Sequence, residues 1–200
     1  MSKLIILGTA HGSNVAGKRS PDGRLLEYKY SREIVARIEQ ALLDKGHNVI
    51  VDLRQDYEPS LSFRVQCVNN LCTKYGAKNC LYVSVHCNAA GMGQWMKASF
   101  WSVWTSRGQT QGDKLARCLY NAASEVFPAM GKSVKGDWSD GDPDYEAGFA
   151  VLRKTKCAAA LTENFFQDNM GDVKFLLSEE GKQAIVDVHV KGIESYLNSL

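Results

Sequence analysis

Short apolar runs alternate with amphipathic stretches along this chain, and few architectures accommodate that order. KLIIL (3–7), NVIVDLR (48–54), CLYVSV (80–85) and CAAALTE (157–163) read as strands, with ASFWSVW (98–104) and AVLR (150–153) as further candidates. Between them Ile34, Val35, Ile38, Ala41 and Leu42 recur at helical spacing, and Gly46 closes that helix. Ser60 caps a second helix carrying Val65, Val68, Leu71, Cys72 and Tyr75. A third helix is expected over 113–127. A last one starts near Ser178 and bears Ala184, Ile185, Val188, Ile193, Tyr196 and Leu197. Strands alternating with helices predict an α/β single domain: a twisted mixed sheet of about six strands, flanked by helices on both faces. Two Gly-rich polar stretches, 8–24 and 131–149, read as long loops, which tend to be functional.

The composition narrows the function. An apolar fraction of 44% over 200 residues excludes disorder. With 24 basic and 22 acidic residues the net charge is +2, too weak and mixed for a nucleic-acid face. No apolar run reaches the roughly 18 residues a membrane span needs, so no stable membrane association is expected. The opening MSKLIILGTAHG lacks a signal peptide's long apolar core and cleavage site, so export by the general route is not expected. The six cysteines form no CxxC pair and read mostly as buried thiols in a reducing compartment.

In open α/β sheets ligands bind at the carboxyl ends of the strands. There the first strand runs into His11, CLYVSV into His86 and AAALT into Glu163, while Glu27 lies where the first long loop meets the first helix. Two histidines and a carboxylate make a three-ligand zinc site with one open position, and a further carboxylate can move protons. Taken singly, the histidines and Glu27 have ordinary explanations, whereas Glu163, beside an apolar run, is costly to bury without a purpose. A strand-end histidine can satisfy core backbone groups, and Glu27 can favour a helix dipole. His47 reads as solvated at a helix end, and His189 as a surface or packing residue. Spacing alone stops at a zinc hydrolase of unknown substrate.

The ordered motifs LIILGTAHGS, LLEYKYSREIVARI, VDLRQD, SFRVQCVNN, SVHCNA, VLRKTKCAAALTENFF and GIESYL go further. Together they resemble the zinc-dependent N-acetylmuramoyl-L-alanine amidases of the amidase type 3 family, over essentially the whole chain. GTAHGSN and TENFF depart from the usual pattern, the latter making Asn164 atypical. The resemblance implies hydrolysis of the amide between N-acetylmuramic acid and L-alanine in bacterial peptidoglycan. It implies one zinc ion per chain on His11, Glu27 and His86, with Glu163 as the catalytic acid-base. Substrate contacts are expected from Trp95, Trp138 and Tyr145, whose flat rings suit sugar faces, and from Asn88 and Asn164. Of Trp101 and Trp104, three positions apart on a strand, one is expected in the core. Arg54 is expected to pair with a carboxylate beneath the site, and Cys87 to point away from His86.

The same resemblance suggests a phage or prophage endolysin, held in the host cytoplasm until release and acting on the cell wall as a monomer. Residues 1–200 would form a single catalytic domain with no separate wall-binding module. Two alternatives stay open at this point: a zinc carboxypeptidase or amidohydrolase on a similar scaffold, and a non-catalytic peptidoglycan-binding protein.

Overall fold

The computed structural model describes residues 3–200. Strands β1 (Leu4–Thr9), β2 (Asn48–Val51), β3 (Cys80–Asn88), β4 (Ser102–Thr105), β5 (Tyr145–Glu146) and β6 (Ala158–Phe166) form one sheet in the order β2-β1-β3-β6-β4-β5. β1, β2, β3 and β6 run parallel, β4 pairs antiparallel with β6, and β5 follows β4 in parallel. The sheet is therefore mixed and six-stranded, as its alternating pattern predicts.

Six α-helices flank it among the described residues: α1 (Glu27–Asp44), α2 (Leu61–Tyr75), α3 (Gln111–Val126), α4 (Ala150–Arg153), α5 (Met170–Leu177) and α6 (Glu179–Asn198). Strand side chains alternate between two cores. Ile5, Leu7, Val83, Val85 and Ala160 face the layer built from α1, α3 and α6. Leu4, Ile6, Tyr82, Ala159 and Leu161 face α2 and α4. This period of two explains why β1, β3 and β6 read as continuous apolar runs: both faces are covered.

Local chemistry sets the helix starts. The Ser60 side chain accepts from Phe63 N at 3.2 Å, and that of Ser178 from Gly181 N at 3.0 Å. Thr110 and Asp113 form a reciprocal capping box on α3. Two expectations change. AVLR is not a strand but the single-turn helix α4, because a four-residue apolar run carries no period to separate strand from helix. The second long loop contains β5, whose Tyr145 and Glu146 pair with Trp104 and Thr105. Trp101 is the core tryptophan, fully buried, while Trp104 is half-buried. No helix among the described residues is long and apolar enough to cross a membrane.

Candidate metal centre and its cleft

Three elements converge at the carboxyl edge of the sheet. β1 delivers His11 two residues beyond its end, α1 opens with Glu27, and β3 carries His86 near its end. One ligating atom from each lies within 4.8 Å of the others. His86 Nδ1 is 3.3 Å from Glu27 Oε1, and His11 Nε2 is 3.7 Å from the same oxygen. The two imidazoles meet edge to face at 5.1 Å. His11 reaches this position through a φ of +40°, a region few non-glycine residues occupy and one that costs about 1–3 kcal/mol. Gly12 follows because a Cβ there would stand 2.2 Å from Glu58 N.

The outer ring nitrogens are held too. His86 Nε2 lies 3.1 Å from Ser84 Oγ, and His11 Nδ1 lies 3.6 Å from Glu58 Oε2. Such partners fix the ring orientation of a metal-ligating histidine. Behind Glu58, buried Arg64 contacts Asp52 Oδ2 at 2.6 Å and Glu58 Oε1 at 3.5 Å, and Tyr82 OH donates to Asp52 at 3.0 Å. Glu58 and Arg64 were not singled out as site residues by sequence. Their approach to His11 depends on the turn after β2, which carries no periodic signal.

Electrostatics fits a cation. Burial pushes the Glu27 carboxyl up, but His86, His11 and the Cys87 amide, which donates to Oε1 at 3.1 Å, outweigh it and hold it below the usual range. Glu27 Oε2 is buried with no hydrogen-bond partner among the described residues. Burial pushes His86 down despite Glu27, favouring the neutral imidazole a metal requires. A buried carboxylate with an unused oxygen beside two imidazoles is a donor set suited to Zn²⁺.

Glu163 stands across from His86 in the β3–β6 register. Burial, then repulsion from Glu27, pushes its carboxyl well above the usual range, and Lys18 opposes this. Its Oε2 also lacks a partner among the described residues. His11, His86 and Glu163 line one cavity of about 250 Å³ with Lys18, Leu61 and Phe149.

The other expected contacts do not line that cavity. Trp95 packs against the core from the loop after β3. Trp138 is 54% exposed, beside Tyr120 and the Arg117 guanidinium. Tyr145 stacks on Trp104 at 4.9 Å, and Trp104 in turn meets Phe149 at 5.7 Å. Asn88 holds the start of the following loop, where its side chain accepts from Ala89 N. Asn164 is fully buried and its carboxamide is engaged inside the protein, so its placement turns it away from substrate. Arg54 is also elsewhere: it pairs with Glu39 at 2.5 Å on the surface, and Arg64 occupies the buried position beneath the site. Cys87 points to the opposite core. His47 pairs with Glu194 at 3.1 Å, and His189 is fully buried.

Known proteins share this architecture. An endolysin of Bacillus phage SPP1 is 28% identical over 200 residues, spanning 99% of this chain and 67% of that protein. The N-acetylmuramoyl-L-alanine amidase of Clostridium difficile 630 superposes with a TM-score of 0.82 at 23% identity, covering 99% of this chain and 98% of that one. The catalytic domain of CwlV, an amidase from Bacillus (Paenibacillus) polymyxa var. colistinus, gives 0.80 at 20% identity, with 98% of each chain covered. These structural likenesses show a common fold. The sequence pattern of one family matches residues 5–195, and by that match the chain belongs to the N-acetylmuramoyl-L-alanine amidases.

Proposed function

We propose that this chain cleaves its substrate as a zinc enzyme, with one ion held by His11, Glu27 and His86 and with Glu163 moving the proton. The reaction itself follows from the family: hydrolysis of the amide joining N-acetylmuramic acid to L-alanine in bacterial peptidoglycan. The observation that carries the zinc reading is the gathering of three ligating atoms within 4.8 Å, one of them from Glu27, a buried carboxylate whose Oε2 has no hydrogen-bond partner among the described residues.

An amide is a poor electrophile and water a poor nucleophile; bound zinc makes water more acidic and draws electron density from a carbonyl. The chain's own residues do the rest. Glu163 faces the cavity, and burial strengthens its carboxylate as a base; in its ionised form it takes the proton from the attacking water. It then returns that proton to the alanine nitrogen as the amide breaks. Ser84 and Glu58 keep the two imidazoles oriented. Leu61 and Phe149 offer exposed apolar surface at the cavity wall, suited to the methyl groups on either side of the scissile amide. Trp138 remains available on the surface for a sugar ring. The site draws on β1, α1, β3 and β6 of one chain, which supports reading residues 1–200 as one catalytic unit that can work as a monomer. The SPP1 relative, an endolysin, supports release from the host cytoplasm to act on the wall.

Digestion of purified muropeptides, with and without a chelator, tests this by mass spectrometry. New free L-alanine amino termini with intact glycan, abolished by chelator and restored by zinc, are expected. Loss of a C-terminal residue instead would mark a carboxypeptidase, and chelator-insensitive cleavage would overturn the zinc reading.

A further inference from the structure

Asn164 follows Glu163 directly, yet its side chain goes the other way. It is fully buried. Its Nδ2 donates to the His86 carbonyl at 2.9 Å and contacts Thr162 Oγ1 at 3.1 Å, while its Oδ1 accepts from the Trp101 indole Nε1 at 2.8 Å. Thr162 Oγ1 in turn meets His189 Nε2 at 2.8 Å, and His189 Nδ1 meets the Ile185 carbonyl at 2.7 Å. A closed line of polar contacts thus runs from α6 through β6 to the segment before β4 and to β3. Each member's side chain sits in the interior.

This line lies at an irregularity of the sheet. His86 pairs with Glu163, but the next paired positions are Asn88 and Phe166, so one residue of β3 faces two of β6. In a regular strand Phe165 would share the face of Glu163. Instead a φ of +60° at Phe165 turns its ring into the α1/α3/α6 core, against Phe127 and Phe175. The backbone there is strained, and a bulge of this kind re-aims a neighbouring side chain. The carboxamide of Asn164 is what ties the two strands and Trp101 together across it. We propose that Asn164 is a positioning residue: by joining the His86 carbonyl and the Trp101 indole at the bulge, it holds Glu163 opposite His86 in the geometry that hydrolysis requires. This rests on the assignment of Glu163 as the proton-moving group.

The test compares Asn164→Ala, Trp101→Phe and Glu163→Gln in the zinc-loaded enzyme on a soluble muropeptide. Misplacing a catalytic group by about 1 Å costs about 10²-fold. Asn164→Ala is therefore expected to lower kcat about 10²-fold with KM within about twofold and with zinc stoichiometry unchanged. Trp101→Phe removes a single hydrogen bond and is expected to lower kcat by less, again at constant KM. In the metal-free protein, exchange of the Trp101 indole proton is expected to quicken at least about tenfold on Asn164→Ala, because its acceptor is gone. Unchanged kcat in folded Asn164→Ala, a KM that moves with kcat, or unchanged indole exchange overturns the proposal. If Asn164→Ala does not fold, Trp101→Phe decides, and parental kcat in it overturns the proposal. Glu163→Gln keeps the two assignments apart. If it retains parental activity, the role of Glu163 fails; if it is inactive while Asn164→Ala is fully active, only the present inference fails.

Discussion

At the carboxyl edge of the sheet, Glu27 and Glu163 each bury an oxygen with no hydrogen-bond partner among the described residues, and His11 sits at a φ of +40°. At the amino edge, the same strands begin among thiols. Cys80 opens β3, Cys157 precedes β6, and Cys72 of α2 lies within hydrogen-bond reach of both. Burial there pushes Cys80 up to about 11 and Cys157 higher still, so the cluster behaves as small apolar packing. One edge spends folding stability on unsatisfied charge and strain; the other is quiet. Strain and unpaired polar atoms concentrate where a ligand is to be held.

That contrast can be broken in order of expected effect. His86→Ala should lose zinc and activity together, whereas Glu163→Ala should keep one zinc per chain and lose about 10³-fold in activity. Elemental analysis beside a turnover assay separates the two, and a zinc-free Glu163→Ala would reverse the assigned roles. Arg64→Leu strands Asp52 in the interior and should cost about 3–5 kcal/mol in urea unfolding. Arg54→Ala, at an exposed pair, should cost less than about 1 kcal/mol and leave activity intact.

Acid should act next. Burial holds His189 at about 4, below the ordinary 6.5, so the unfolded chain takes up a proton that the folded one refuses. Its contribution to stability is complete above about pH 7 and falls as pH drops from 6.5 toward 4, by about 3 kcal/mol in all. Asp144 works oppositely. Burial and Asp142 raise it to about 7, so its protonation favours the fold as pH falls. The difference between the parent and His189→Gln at pH 7.5 and 4.5 isolates the histidine. A small effect is also expected at the quiet edge: Cys72→Ala should cost about 1 kcal/mol and leave kcat unchanged. A loss of turnover there would mean the two edges are coupled.

The sheet and its helices were legible because apolar period and caps are local signals: β1, β3, α1 and the Ser60 and Ser178 caps can be read from a few residues each. The candidate metal ligands were legible because strand ends in such a sheet point one way. What lay hidden depends on turns and on pairing at a distance. Arg54 and Arg64 are ten residues apart, and only the turn between β2 and α2 decides which one lies beneath the site. Asn164 resembles a substrate contact by proximity to Glu163, yet the alternation of faces along β6 sends it inward. Tyr145 pairs through a strand of two residues, too short to show any alternation.

Among the described residues β6 is the last strand in chain order, yet it sits inside the sheet between β3 and β4, and it carries Glu163. His11, Glu27 and His86 leave the ribosome well before that strand does. The four residues cannot come together until β6 has been made and inserted between β3 and β4. Such long-range insertion is slow compared with local helix formation. A product of translation that stops before β6 would lack Glu163 and should be inert toward the wall.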